Sequence, residues 1–139
     1  LDGADAVMLS GETSVGKHPV VVVQAMNKII EEAELHYEMQ GKRPKPNPDS
    51  TTFYSDTICL GAPKIADDIG AKAICGLTVS GYTAFKMSSF RPKCKIFIFS
   101  DQEHMLSTLN LVWGVKCYKY DKFSNSSTTD ETIHDLAET

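Results

Sequence analysis

The sequence predicts an α/β fold with a mainly parallel sheet, layered as helices, sheet and helices. Three observations carry this. Strand-like runs at Ala73–Leu77, Lys95–Ser100 and residues 115–120 begin 22 and 20 residues apart. Helical patterns near residues 84–89 and 102–111 lie between them, which makes a β-α-β-α-β series. The central run Ile96, Phe97, Ile98 and Phe99 is apolar on both faces, as a parallel strand covered on each side must be. Right-handed crossovers then make a three-layer sandwich the default.

Taken in order, residues 6–9 are a short apolar run ending at Ser10 and Gly11, which reads as a buried strand entering a loop that lasts to His18. Pro19 suits the first turn of a helix, and Val22, Met26, Ile29, Ile30, Ala33 and Tyr37 follow at helical spacing. That period outweighs the β preference of the four valines from Val20 to Val23, so a helix is expected to about Glu38. From Met39 to Ser50 the pattern stops. Gly41, Pro44, Pro46 and Pro48 alternate there with Lys42, Arg43 and Lys45, the composition of a solvated linker.

Beyond the linker, Ile58, Ala62, Ile65, Ala66 and Ile69 draw one apolar stripe on a helix starting near Ser55 or Asp56. Pro63 interrupts its hydrogen bonding, so a kink or break is expected near Gly61. Ser100 or Asp101 is placed to cap the helix at 102–111. A polar loop over 121–129 leads to a last helical start. There Thr128 and Glu131 have capping-box spacing, and Ile133, Leu136 and Ala137 form the apolar side.

The chain's 139 residues allow one complete domain or pieces of two. Because it opens at Leu1, in the middle of an apolar pattern, the second option is the expectation. A net charge of −4 gives no basic excess for a phosphate backbone, so nucleic acid is not an expected partner. No apolar run approaches the roughly 20 residues that cross a bilayer. No charged segment with a following apolar core opens the chain, so neither a membrane nor a secreted design is expected. Asn125, Ser126 and Ser127 match a glycosylation sequon that then has no use. Cys59, Cys75, Cys94 and Cys117 lie 16, 19 and 23 residues apart without a CxxC pair, and read as reduced, mostly buried thiols.

Two places offer chemistry. At Ser10, Gly11, Glu12 and Thr13, hydroxyls and a carboxylate follow directly after a buried strand, the edge where α/β proteins bind ligands. The competing reading is a turn in which Ser10 and Thr13 cap backbone groups and Glu12 faces water. At Thr78, Val79, Ser80, Gly81, Tyr82 and Thr83, three hydroxyls and the N–H groups of a helix start make a phosphate cradle. Serine and threonine equally cap helices that bind nothing. Trp113 reads as core packing or a subunit contact. Lys93 and Lys95, beside Arg91, read as an exposed turn, and the four scattered histidines suggest neither metal nor relay.

The string LDGADAVMLSGETSVGKHP resembles the end of the catalytic barrel of pyruvate kinase, where DGAD, an apolar strand and MLSGET precede the last helix. The order that follows is similar to that family's too, with a linker, a strand, a T-x-S-G-x-[ST] turn and Arg91–Pro92 before the next strand. The resemblance implies that residues 1–38 are the last βα unit of a TIM (β/α)8 barrel. Residues 39–50 would be a linker and residues 51–139 an incomplete C-terminal domain that regulates and oligomerises. It implies phosphoryl transfer between phosphoenolpyruvate and ADP in glycolysis, with Mg2+ and K+, in a cytoplasmic homotetramer.

In the family, the metal-binding carboxylates and the catalytic lysine precede this segment, so the polypeptide is expected to be inactive alone. By the same resemblance Ser10 is a serine near the active site and Glu12 its supporting carboxylate. Thr78, Ser80, Gly81 and Thr83 would grip a phosphate of a sugar-phosphate effector, while Val79 and Tyr82 stand where forms with a basic turn carry lysine or arginine. The alternative from another class is a free-standing, noncatalytic α/β module that binds a small phosphorylated ligand through the same turn.

Overall fold

The computed structural model describes residues 3–36, 45–121 and 131–134. The chain divides into two compact units, Leu1–Lys42 and Arg43–Thr139.

In the first unit, residues 6–10 run without regular structure into a one-turn helix α1 (Gly11–Ser14) and then helix α2 (Pro19–Leu35). The strand expected at 6–9 does not form. A strand exists only through ladder bonds to a neighbour, none is present there among the described residues, and Met8 is largely exposed. The loop expected to His18 is likewise broken by α1. Pro19 stands at the first turn of α2 as expected, where its missing N–H costs nothing. Val22, Met26, Ile30 and Ala33 share the half-buried side of α2, whereas Ile29 points outward. Tyr37, Glu38 and residues 39–44 of the expected linker lie outside the described residues.

The second unit holds α3 (Phe53–Ile69), β1 (Ala73–Leu77), α4 (Tyr82–Ser89), β2 (Lys95–Ser100), α5 (Glu103–Leu109) and β3 (Val115–Lys119). The strands form one parallel sheet in the order β1-β2-β3. Ile74 pairs with Ile96 and Gly76 with Ile98, while Ile96 and Ile98 pair with Val115 and Cys117. This puts Ile74, Gly76, Ile96, Ile98, Val115 and Cys117 on one face. A Cβ placed on Gly76 would meet Met87 of α4 at 3.6 Å, so α4 covers that face. Both crossovers advance in the same direction along the sheet, which puts α5 on the same side as α4. Ile96, Ile98 and Leu109 are completely buried there.

The opposite face carries Cys75, Phe97, Phe99, Tyr118 and, just past β3, Tyr120, whose rings pack on one another at 5.7–6.3 Å between centroids. Cys75 is exposed and Tyr118 is 44% exposed. Among the described strands and helices the sandwich therefore has two layers where three were expected, because both connecting helices share one face.

Helix α3 is continuous from Phe53 to Ile69, without the break expected at Gly61. Pro63 sits inside it, and its fully buried ring gains packing against the loss of about 3 kcal/mol that an interior proline causes. The helix ends where Gly70 adopts φ 65° and the Ala71 N–H reaches the Ala66 carbonyl at 2.8 Å, a left-handed glycine cap. The stripe proposed for its core is reversed. Asp56, Cys59, Pro63 and Ala66 are buried, and of the expected set only Ala66 lies among them, while Ile58, Ile65 and Ile69 face outward with Ile69 73% exposed.

Helix α4 begins two residues before its expected span and ends with it, and α5 falls inside its own. The Ser100 hydroxyl accepts from the N–H of Gln102, which is itself the cap position, so the side chain steadies the approach to α5 and does not cap it. Residues 131–134 are helical. The sequon, Thr128, Leu136 and Ala137 lie outside the described residues.

Candidate functional site

Parallel strands bring all their carboxyl ends to one edge, and the 78–83 turn lies there, between β1 and α4. Thr78 continues the ladder, its N–H bonding the Phe99 carbonyl at 3.0 Å, and its buried hydroxyl accepts from the Gly81 N–H at 2.9 Å. The Ser80 hydroxyl accepts from the Tyr82 N–H at 3.4 Å. The capping reading of the turn is thus realised: Thr78 and Ser80 satisfy N–H groups at the helix start themselves. Ser80 is exposed and Thr83 half-buried, so Thr78 of the expected set faces inward. Gly81 takes φ 78°, which L side chains rarely adopt, and leads the chain straight into α4.

One functional-looking cluster escaped the sequence reading. Asp56 on α3 is buried, and the Tyr82 hydroxyl donates to its Oδ1 at 2.5 Å. Lys86 Nζ pairs with the same oxygen at 3.2 Å, and the Thr52 hydroxyl donates to Oδ2 at 3.0 Å. The Tyr82 hydrogen bond, aided by Lys86 and Thr52 and opposed by burial, holds the Asp56 carboxyl below the usual aspartate range. In the sequence Asp56 looked only like a helix start. The i,i+4 spacings of Thr52 with Asp56 and of Tyr82 with Lys86 were legible, but nothing local says that the two pairs meet.

In the first unit, Ser10 and Glu12 are both exposed. The Ser10 N–H donates to Glu12 Oε2 at 3.0 Å, and the Thr13 hydroxyl donates to the Ser10 carbonyl at 2.9 Å. Glu12 therefore closes the start of α1, while the Ser10 hydroxyl makes no cap bond. Elsewhere, the Arg91 guanidinium stands 4.7 Å from the centroid of Trp113, and the Ser88 hydroxyl donates to the Trp113 carbonyl at 2.6 Å. Trp113 thus packs under a cation, and Lys93 is exposed as expected. Among the described residues no three His, Cys, Asp or Glu side chains gather as a metal site would require. No described helix is long and apolar enough to cross a membrane.

Comparison with known proteins places this architecture. The family model described as "Pyruvate kinase, alpha/beta domain" matches residues 56–139. The pyruvate kinase of Clostridium acetobutylicum is 39% identical over 134 residues, covering 95% of this chain and 27% of the relative. That of Geobacillus stearothermophilus is 38% identical over 136 residues, covering 95% of this chain and 22% of the relative. A crystal structure of a pyruvate kinase from Cryptosporidium parvum superposes with a TM-score of 0.79 at 29% identity, over 99% of this chain and 28% of that one. The chain spans about a quarter of the length of the curated relatives it matches. With a parallel sheet, a serine- and glycine-bearing turn at its carboxyl edge, and a family match that covers this whole unit from Asp56 onward, the chain belongs to the pyruvate kinase family.

Proposed function

We propose that this chain is the regulatory and subunit-contacting part of a cytoplasmic, homotetrameric pyruvate kinase, whose full-length form transfers a phosphoryl group from phosphoenolpyruvate to ADP. Residues 1–38 would close the catalytic barrel, residues 39–50 link it, and residues 51–139 form the regulatory domain. The match of residues 56–139 to the family's alpha/beta domain carries this reading. Phosphoryl transfer needs cations to neutralise the transferring group and a proton for the enolate carbon. Mg2+ and K+ would be held by parts of the full-length enzyme outside residues 1–139, and this segment would be inactive alone. Ser10, at the end of the 6–10 segment, and Glu12, in α1, support the active site by a hydroxyl relay and do not drive transfer.

In the same reading the 78–83 turn grips one phosphate of a sugar-phosphate effector through Ser80, Gly81 and Thr83, with Thr78 shaping the turn from inside. The position of the turn at the start of α4 supports this, since the helix dipole favours an anion there. The test is pyruvate formation from phosphoenolpyruvate and ADP by the full-length protein and by residues 1–139, with sugar phosphates titrated into each. Activity confined to the full-length protein, activated by sugar phosphate and desensitised by Ser80→Ala and Thr83→Ala, is the expected result. An active 139-residue chain, or unchanged activation in both variants, overturns the corresponding part.

A further inference from the structure

Asp56 has only 8% of its surface exposed, and its carboxylate joins two helices. Tyr82 and Lys86 are four residues apart and so lie on one side of α4. Both reach the same oxygen, Oδ1. Thr52, one turn before Asp56, holds Oδ2. Tyr82 is the first residue of α4, directly after Gly81, and Lys86 is the one basic residue of that helix. A buried carboxylate that loses a partner is left poorly compensated, so these donors act as a set.

We propose that Asp56 is a latch that fixes the first turn of α4 to α3 and withholds the Lys86 charge from the 78–83 turn. The second half rests on the reading of that turn as a phosphate cradle; the first half does not. Tyr82 stands at the hinge between turn and helix, and its ring is tied back toward α3. Lys86 is neutralised by the carboxylate, so the turn presents hydroxyls and N–H groups without a free cation from α4. Such a turn favours ligands of low charge, a sugar monophosphate over a bisphosphate, because the additional phosphate finds no cation of α4 available to it. Asp56 is thereby a positioning residue, acting through Tyr82 and Lys86.

The test uses the full-length protein as wild type, Asp56→Asn, Tyr82→Phe and the double variant Asp56→Asn with Lys86→Met. Amide hydrogen exchange over residues 82–89 is read without ligand, and a hexose monophosphate and a hexose bisphosphate are each titrated. Exchange should rise about tenfold in both single variants. Asp56→Asn should bind the bisphosphate about tenfold more tightly than wild type, and Lys86→Met should remove that gain. A purely structural role for Asp56 would loosen α4 without a gain that depends on Lys86. Should Asp56→Asn fail to fold, Tyr82→Phe leaves the carboxylate in place and tests the latch by exchange. Unchanged exchange in the folded single variants overturns the latch. Wild-type binding that Asp56→Asn does not strengthen overturns the charge-withholding half and leaves the cradle standing. Raised exchange with no binding of either sugar phosphate by any form supports the latch and overturns the cradle.

Discussion

Gly81 is pressed against Met105: a Cβ added to it would lie 2.3 Å from the Met105 methyl carbon and 3.2 Å from the Phe85 ring. The same residue holds φ 78°. Gly81→Ala therefore meets two penalties, a left-handed backbone and a displaced core side chain, each of about 1 kcal/mol or more. Chemical denaturation of the variant should show a loss of about 2 kcal/mol. A paired Met105→Ala change should return only the steric share.

Acid should unlatch α4 from α3. The folded-state pKa of Asp56 lies below its unfolded value, so the network's contribution is fully present above the ordinary aspartate value of about 3.9 and is lost as pH falls through the lower folded value. The difference in stability between wild type and Asp56→Asn should be constant near neutral pH and shrink only below about pH 4. Thermal melts of both proteins across that range measure it; a difference that shrinks already between pH 7 and 5 would contradict the assignment.

Trp113 is the chain's only tryptophan, which makes its surroundings directly readable by fluorescence. Ser88→Ala removes the donor to its carbonyl and should cost about 1–2 kcal/mol, with a shift in emission. Arg91 holds φ 47°, so Arg91→Gly relieves backbone strain while losing the ring contact, whereas Arg91→Ala only loses. The glycine variant should be the more stable of the two by about 1 kcal/mol.

The four thiols should separate by exposure. Burial pushes the Cys59, Cys94 and Cys117 thiols up, away from the reactive thiolate, and Cys59 and Cys117 are buried. Cys75 is exposed on the face opposite α4. Alkylation near neutral pH should label Cys75 first, and Cys75→Ser should abolish the fast phase.

The alternation of strands and helices was legible because each run was short, apolar and bounded by turn residues; Ala73–Leu77 and Lys95–Ser100 coincide with β1 and β2. The period of α3 was legible too, but not which side faces inward. Ile58, Ile65 and Ile69 are more apolar than Asp56, Cys59 and Pro63, and hydrophobicity alone therefore chose the wrong side. Asp56 could be buried because Tyr82 and Lys86, 26 and 30 residues away, supply its partners, and such distant pairing leaves no local trace. The strand at 6–9 failed for the complementary reason, since a ladder depends on a neighbour that a local pattern cannot specify.

The order β1-β2-β3 matches the order of the sequence, each strand joining the one made just before it through a short connection, residues 78–94 and then residues 101–114. Loop closure over so short a span costs little entropy, so pairing can begin before the downstream chain exists. During translation the three described strands can thus assemble in order from β1 outward as the ribosome releases each segment.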